Sequence, residues 1–178
     1  MHEADFRPNQ KLTLSSRQTL YLAGARVFLV SNLAPLGCLP TVRNLSPDAS
    51  CNVQVNLAIA GVNAALKSAL AQLRGALPGV TILELDLFAV LATPLNVPGV
   101  TNFGQACCGA GGPANTAIFC AFPGFTLCSN PENYFFFDGL HGTTQVAAAV
   151  ANEVINGNSF VAPSNLYQTL VAPKLGGK

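Results

Sequence analysis

The sequence predicts an α/β fold built on parallel strands, and three stretches carry the prediction. Val27-Phe28-Leu29-Val30 is short and continuously apolar, as in a strand covered on both faces of a parallel sheet. Ile59, Val62, Leu66, Leu70, Leu73 and Leu77 recur at steps of three and four, which marks one face of an amphipathic helix. Val80-Thr81-Ile82-Leu83-Glu84-Leu85-Asp86-Leu87 then reads as a second strand. Parallel neighbours need a long crossover, so strand, helix and strand describe a right-handed β-α-β unit.

The remaining elements follow in order. Residues 1–19 are polar and aperiodic and read as an N-terminal tail. After the first strand, two prolines and a glycine in Ala34-Pro35-Leu36-Gly37-Cys38-Leu39-Pro40 force an irregular loop that continues to about residue 52. Ser50 or Asn52 caps the long helix, and Pro78-Gly79 ends it. Alternation puts Glu84 and Asp86 on one face of the second strand, which predicts a sheet edge or one wetter face. Residues 93–133, rich in Gly, Pro, Asn and Cys, form an ordered loop region held by cross-links. Tyr134-Phe135-Phe136-Phe137 leads into Asp138-Gly139-Leu140-His141. A final helix runs from residue 143 or 144 to 155, with Val146, Val150 and Val154 on one face and Gly157 as its stop.

Composition narrows the function classes. A chain of 178 residues suits one domain, and 50% hydrophobic with 10% charged residues excludes a disordered tail. Nine Lys plus Arg against eight Asp plus Glu form no basic stripe, so nothing supports nucleic-acid binding. No membrane span is expected: the longest apolar region, residues 81–95, is interrupted by Glu84, Asp86 and Pro94.

The cysteines point to a compartment. Cys38, Cys51, Cys107, Cys108, Cys120 and Cys128 contain no C-x-x-C, and only His2 and His141 are available as partners, so zinc fits poorly. An even, clustered set fits a disulfide framework in an oxidising compartment; six buried reduced thiols are the other reading. Yet residues 1–8 are polar and acidic where a secretory signal is basic and then apolar. That mismatch raises the expectation that the beginning of the protein is missing.

Chemistry concentrates at Asp138-Gly139-Leu140-His141. The i, i+3 spacing lets the Asp138 carboxylate fold back onto Nδ1 of His141 within one turn, fixing the tautomer and freeing Nε2 as a general base. The four aromatic residues before it could exclude water. The same residues also describe an Asp-Gly turn beside a surface histidine, and spacing alone decides nothing.

Context adds a family. Leu20-Tyr21-Leu22-Ala23-Gly24-Ala25-Arg26, Leu36-Gly37-Cys38-Leu39-Pro40, Asn63-Ala64-Ala65-Leu66, Ala106-Cys107-Cys108-Gly109 and the block 134–141 stand in the order of the plant GDSL esterase/lipase motifs. The chain resembles that family, which belongs to the SGNH hydrolases, over residues 20–161. The resemblance implies a three-layer α/β/α, flavodoxin-like fold and hydrolysis of lipid or small acyl carboxylic esters without a cofactor. Asp138 and His141 match the family's catalytic pair, and full-length members are secreted.

The serine block G-D-S is absent. Its nearest string, Pro47-Asp48-Ala49-Ser50, lies in the wrong loop, and Gly61-Val62-Asn63-Ala64 lies inside the helix and lacks the aspartate of the G-x-N-D block. The resemblance therefore implies that residues 20–178 are the C-terminal part of one hydrolase domain, with the N-terminal strands and the nucleophile missing. The Val27 strand should lack a neighbour, and the chain alone should be inactive; the alternative is a non-catalytic remnant or binding protein. Within the block, Gly142 and Phe137 replace the family's proline and tryptophan, and Gly142 should loosen the helix entry. Ser31, at a strand end, is a candidate substitute nucleophile, although a serine there is ordinarily bonded to backbone. Cys107 or Cys108 could pair with His141 as a thiolate, but the resemblance assigns both to disulfides. Cys38 should pair with Cys51, as both lie in loops bracketing the helix entry. The other four should pair among themselves, with the connectivity open.

Overall fold

Where the apolar side chains of two parallel strands point decides the architecture of the computed structural model, which describes residues 19–92 and 97–175. In chain order the elements are β1 (Val27–Ser31), α1 (Pro40–Arg43), α2 (Val53–Ala76), β2 (Thr81–Leu85), α3 (Leu87–Ala92), β3 (Asn102–Ala106), β4 (Cys108–Ala110), β5 (Ile118–Phe119), β6 (Thr126–Leu127), β7 (Tyr134–Phe136), α4 (Thr144–Asn156) and β8 (Val161–Ala162). A helical stretch over Tyr167–Val171 and Ala172–Leu175 follows. The tail expected over residues 1–19 lies, Thr19 apart, outside the described residues.

β1 and β2 pair in parallel, with Val27 opposite Thr81 and Ser31 opposite Leu85, and β8 adds antiparallel to β2. Alternation along β2 splits the core. Ile82 joins Val30, Leu70, Leu73 and Leu77 beneath α2, whereas Leu83 and Leu85 join Val90, Val154 and Val161 beneath α4. Helices therefore lie against both faces of β2, as the resemblance implies.

Two strand expectations are corrected. The order β1-β2-β8 makes β2 central rather than an edge. Its wetter face is confined to Glu84, which Arg74 of α2 meets at 2.6 Å, and Asp86 has left the strand to accept the Ala89 N–H in the first turn of α3. β1 is not covered on both faces. Phe28 and Val30 face α2, but Val27 and Leu29 are exposed, Leu29 at 44%, because α4 lies against β2 and β8 instead. Among the described residues β2 is its only strand neighbour.

α2 begins where expected, with the Asn52 side chain accepting the Val55 N–H at 3.1 Å. Only its C-terminal half is buried; Val53 and Leu57 stand in solvent. By length and composition α2 is long and apolar enough to cross a membrane. In this fold its Leu70 and Leu73 are core residues of the sheet layer.

The cross-linked region holds more structure than a loop. β3 pairs in parallel with β7, and β4 lies between β5 and β6 in a small antiparallel sheet. Disulfides join Cys38 to Cys51, as expected, and Cys107 to Cys128 and Cys108 to Cys120, which settles the open pairings. No described cysteine is free, so neither reduced thiols nor a thiolate at Cys107 or Cys108 survives as a reading.

Candidate active site

The site is a short loop closed at its base. β7 delivers residues 134–136. Phe136 then bridges Gly142, the Phe137 N–H donates to the His141 carbonyl at 2.8 Å, and the Thr143 N–H donates to the Phe135 carbonyl at 3.0 Å. Thr143 is the N-cap of α4, yet its hydroxyl turns away from the helix and donates to the Tyr134 carbonyl at 2.8 Å. Gly142 sits in this closure, where an added Cβ would press on Val146.

Inside the loop Asp138 acts first as a turn residue. Its Oδ1 accepts the backbone N–H groups of Leu140, at 2.8 Å, and His141, at 2.7 Å. Both carboxylate oxygens also face the ring: Nδ1 of His141 lies 2.9 Å from Oδ2 and 3.0 Å from Oδ1. Partial burial pushes the Asp138 carboxyl up. The His141 hydrogen bond, the two backbone N–H groups and the electrostatic attraction of His141 outweigh it and hold the group below the ordinary carboxylate range. An ionised carboxylate only accepts, so the proton sits on Nδ1 and Nε2 is left as the base. The predicted pair is thus in hydrogen-bonding contact.

Its surroundings differ from expectation. Phe135 and Phe136 point into a core cluster with Val97, Val100 and Val146 rather than over the imidazole, and the His141 side chain is 74% exposed. The aromatic run anchors the loop from below; it does not shield it. A cleft of about 430 Å³ opens elsewhere, beyond the C-terminal ends of β1 and β2, lined by Asn32, Asn63, Lys67, Glu84, Asp86 and Phe160 among others, and by none of residues 138–141.

No other candidate position is hydrogen-bonded to the pair among the described residues. Among the described residues, no hydrogen bond links Ser31 to His141. Asn63 uses both ends of its amide on Leu33, accepting the N–H at 2.9 Å and donating to the carbonyl at 2.8 Å. The Ser50 hydroxyl lies 3.0 Å from that of Ser46, in a turn around Asp48. No three His, Cys, Asp or Glu side chains gather as metal ligands among the described residues.

Sequence reasoning missed what holds the loop. The backbone N–H groups of Cys107 and Cys108 donate to the carbonyls of Phe136 and Phe137, at 3.1 and 2.6 Å, so the adjacent cysteines anchor the approach to Asp138 with their main chain while their sulfurs tie down the small sheet. The Thr41 hydroxyl donates to the Gly139 carbonyl at 2.9 Å across a sequence separation of 98. No local pattern signals either contact.

Fold and site together define an α/β protein carrying an Asp-oriented histidine on a loop after a parallel strand. The family model described as GDSL-like Lipase/Acylhydrolase matches residues 5–154, and the chain belongs to that family. It is 30% identical to one GDSL esterase/lipase of Arabidopsis thaliana over 84% of this chain and 39% of that relative, and 32% identical to another over 89% and 43%. It is 34% identical to acetylajmalan esterase 2 of Rauvolfia serpentina over 72% of this chain and 38% of the relative. The chain spans less than half the length of these relatives.

Proposed function

We propose that residues 20–178 form the C-terminal, acid–base part of a carboxylic-ester hydrolase domain acting on lipid or small acyl esters. In this reading Asp138 orients His141, and Nε2 of His141 takes the proton of a serine as it attacks the ester carbonyl, then returns it to the leaving alcohol. The serine and its backbone N–H would come from a G-D-S block, and the further oxyanion donors from a glycine block and a G-x-N-D block, none of which these 178 residues contain. The observation that carries the reading is the two-oxygen contact of Asp138 with Nδ1, which leaves Nε2 as the ring nitrogen not engaged by Asp138. The names of the relatives agree with it. Three disulfides fit a secreted protein, the near-neutral net charge argues against a nucleic-acid partner, and we read α2 as a sheet-covering helix rather than a membrane span.

A second reading is a non-catalytic family member that binds a ligand or partner. It is favoured by the separation of the cleft from the pair and by the exposure of His141. A fluorophosphonate probe and short-chain p-nitrophenyl esters distinguish them. Alone, the chain should neither label nor hydrolyse, since loss of one triad member already costs rate factors on the order of thousands or more. Co-expression with the G-D-S-bearing N-terminal segment of a relative should restore labelling that His141→Ala abolishes. Failure to restore it in a soluble complex would favour the second reading. Stoichiometric labelling of the chain alone, lost in His141→Ala, would show that a serine such as Ser31 serves and that the proposed absence of a nucleophile is wrong.

A further inference from the structure

We propose that Thr41 is a positioning residue for His141, acting through the peptide group between Gly139 and Leu140; the inference rests on the Asp138–His141 reading above. The carbonyl of that peptide accepts two hydrogen bonds from Thr41, from the backbone N–H at 3.2 Å and the hydroxyl at 2.9 Å. At its other end, the Leu140 N–H donates to Asp138 Oδ1 at 2.8 Å, and that oxygen lies 3.0 Å from Nδ1 of His141. A peptide is planar, so fixing where its oxygen points fixes where its N–H points. Donors on the oxygen also polarise the amide and strengthen the N–H as a donor. Thr41 is thereby linked in three steps to the imidazole without touching it.

The platform behind Thr41 is built to hold still. Thr41 is the second residue of α1, whose first residue, Pro40, is fully buried and accepts the Thr116 hydroxyl at 3.2 Å. Just upstream, the Gly37 N–H donates to Asn56 of α2 at 2.8 Å, and Cys38 is tied to Cys51. Glycine at 139 completes the contact, because a Cβ there would overlap the Thr41 hydroxyl. The turn itself needs only Asp138 and its backbone partners, and the Thr41 N–H remains in any non-proline variant. The hydroxyl is therefore free to tune the loop without being required to fold it.

The test uses the chain as it is, with two NMR readouts: the His141 tautomer from nitrogen–proton correlations, assigned against His2→Ala, and the Asp138 titration followed at its carboxyl carbon. Thr41→Val should shift the tautomer ratio away from Nδ1–H by roughly two- to fivefold, the loss expected of one hydrogen bond. It should also move the Asp138 titration up towards the ordinary value of 3.8. Thr41→Ser should restore both, with melting temperatures alike. If Thr41→Val does not fold, Thr41→Ala removes the hydroxyl without adding volume and is read the same way. Asp138→Asn separates the two claims. If it leaves the tautomer unchanged, the pair itself is misread. If it shifts the tautomer and the Thr41 variants do not, or if Thr41→Ser fails to restore it, Thr41 has no positioning role.

Discussion

Asp138 and Asp48 show how far a single carboxylate can organise a turn. Asp48 accepts the Ser46 hydroxyl at 2.6 Å and the Ser50 N–H at 3.1 Å, with the Ser46 and Ser50 hydroxyls also linked. The Ser46 hydrogen bond, followed by those of Ser50, lowers its carboxyl to about 2. A carboxylate with a depressed folded value stabilises the fold above its ordinary value of 3.8, and that stability is lost as pH falls through about 2. Asp48→Asn should therefore melt below the parent at neutral pH and converge on it as pH falls through that window; parallel melting curves from neutral to acid would overturn the claim. Legibility at this scale depends on sequence distance. Asp138 and His141 are three residues apart, and their contact could be read from the chain. Thr41 and Gly139 are held together by everything folded between them, so no spacing announces the pair.

At the scale of elements, outlines and the apolar face of α2 were legible, and how burial varies along that helix was not. The period of α2, its Asn52 cap and the helix stop at Pro78-Gly79 were legible because each is a local property. Which turns of α2 meet the sheet was not, since that depends on where β1 and β2 end. Leu70 is 1% exposed and Leu57 stands in solvent. Leu70→Ala should cost about 2–5 kcal/mol in denaturant unfolding, and Leu57→Ala should lie within about 0.5 kcal/mol of the parent. Equal losses would mean that α2 packs differently. β4, β5 and β6 were illegible for a different reason. They are two or three residues long, too short to offer any alternation to read; cross-links hold this region where periodic burial does not.

Across the whole molecule, the segment from Gly37 to Asn44 joins three regions that share little core. Asn56 of α2 holds Gly37, Thr41 holds the loop of Asp138, and Asn44 accepts the Ala114 N–H of the cross-linked region at 3.1 Å. With every described cysteine bridged, alkylation of the unfolded but unreduced chain should add no mass, and alkylation after reduction should modify six thiols. Modification before reduction would contradict the pairing. The two bridges that start from neighbouring residues have a further, topological consequence. The ring closed by Cys108 and Cys120 is nested inside the ring closed by Cys107 and Cys128. A protease that cuts once within each of the stretches 109–119 and 121–127 releases nothing, because every piece stays bonded to the segment that carries Cys107 and Cys108. The exposed aromatic turn around Phe122 and Phe125 can thus be nicked twice and still remain attached to the anchor beneath Asp138 and His141.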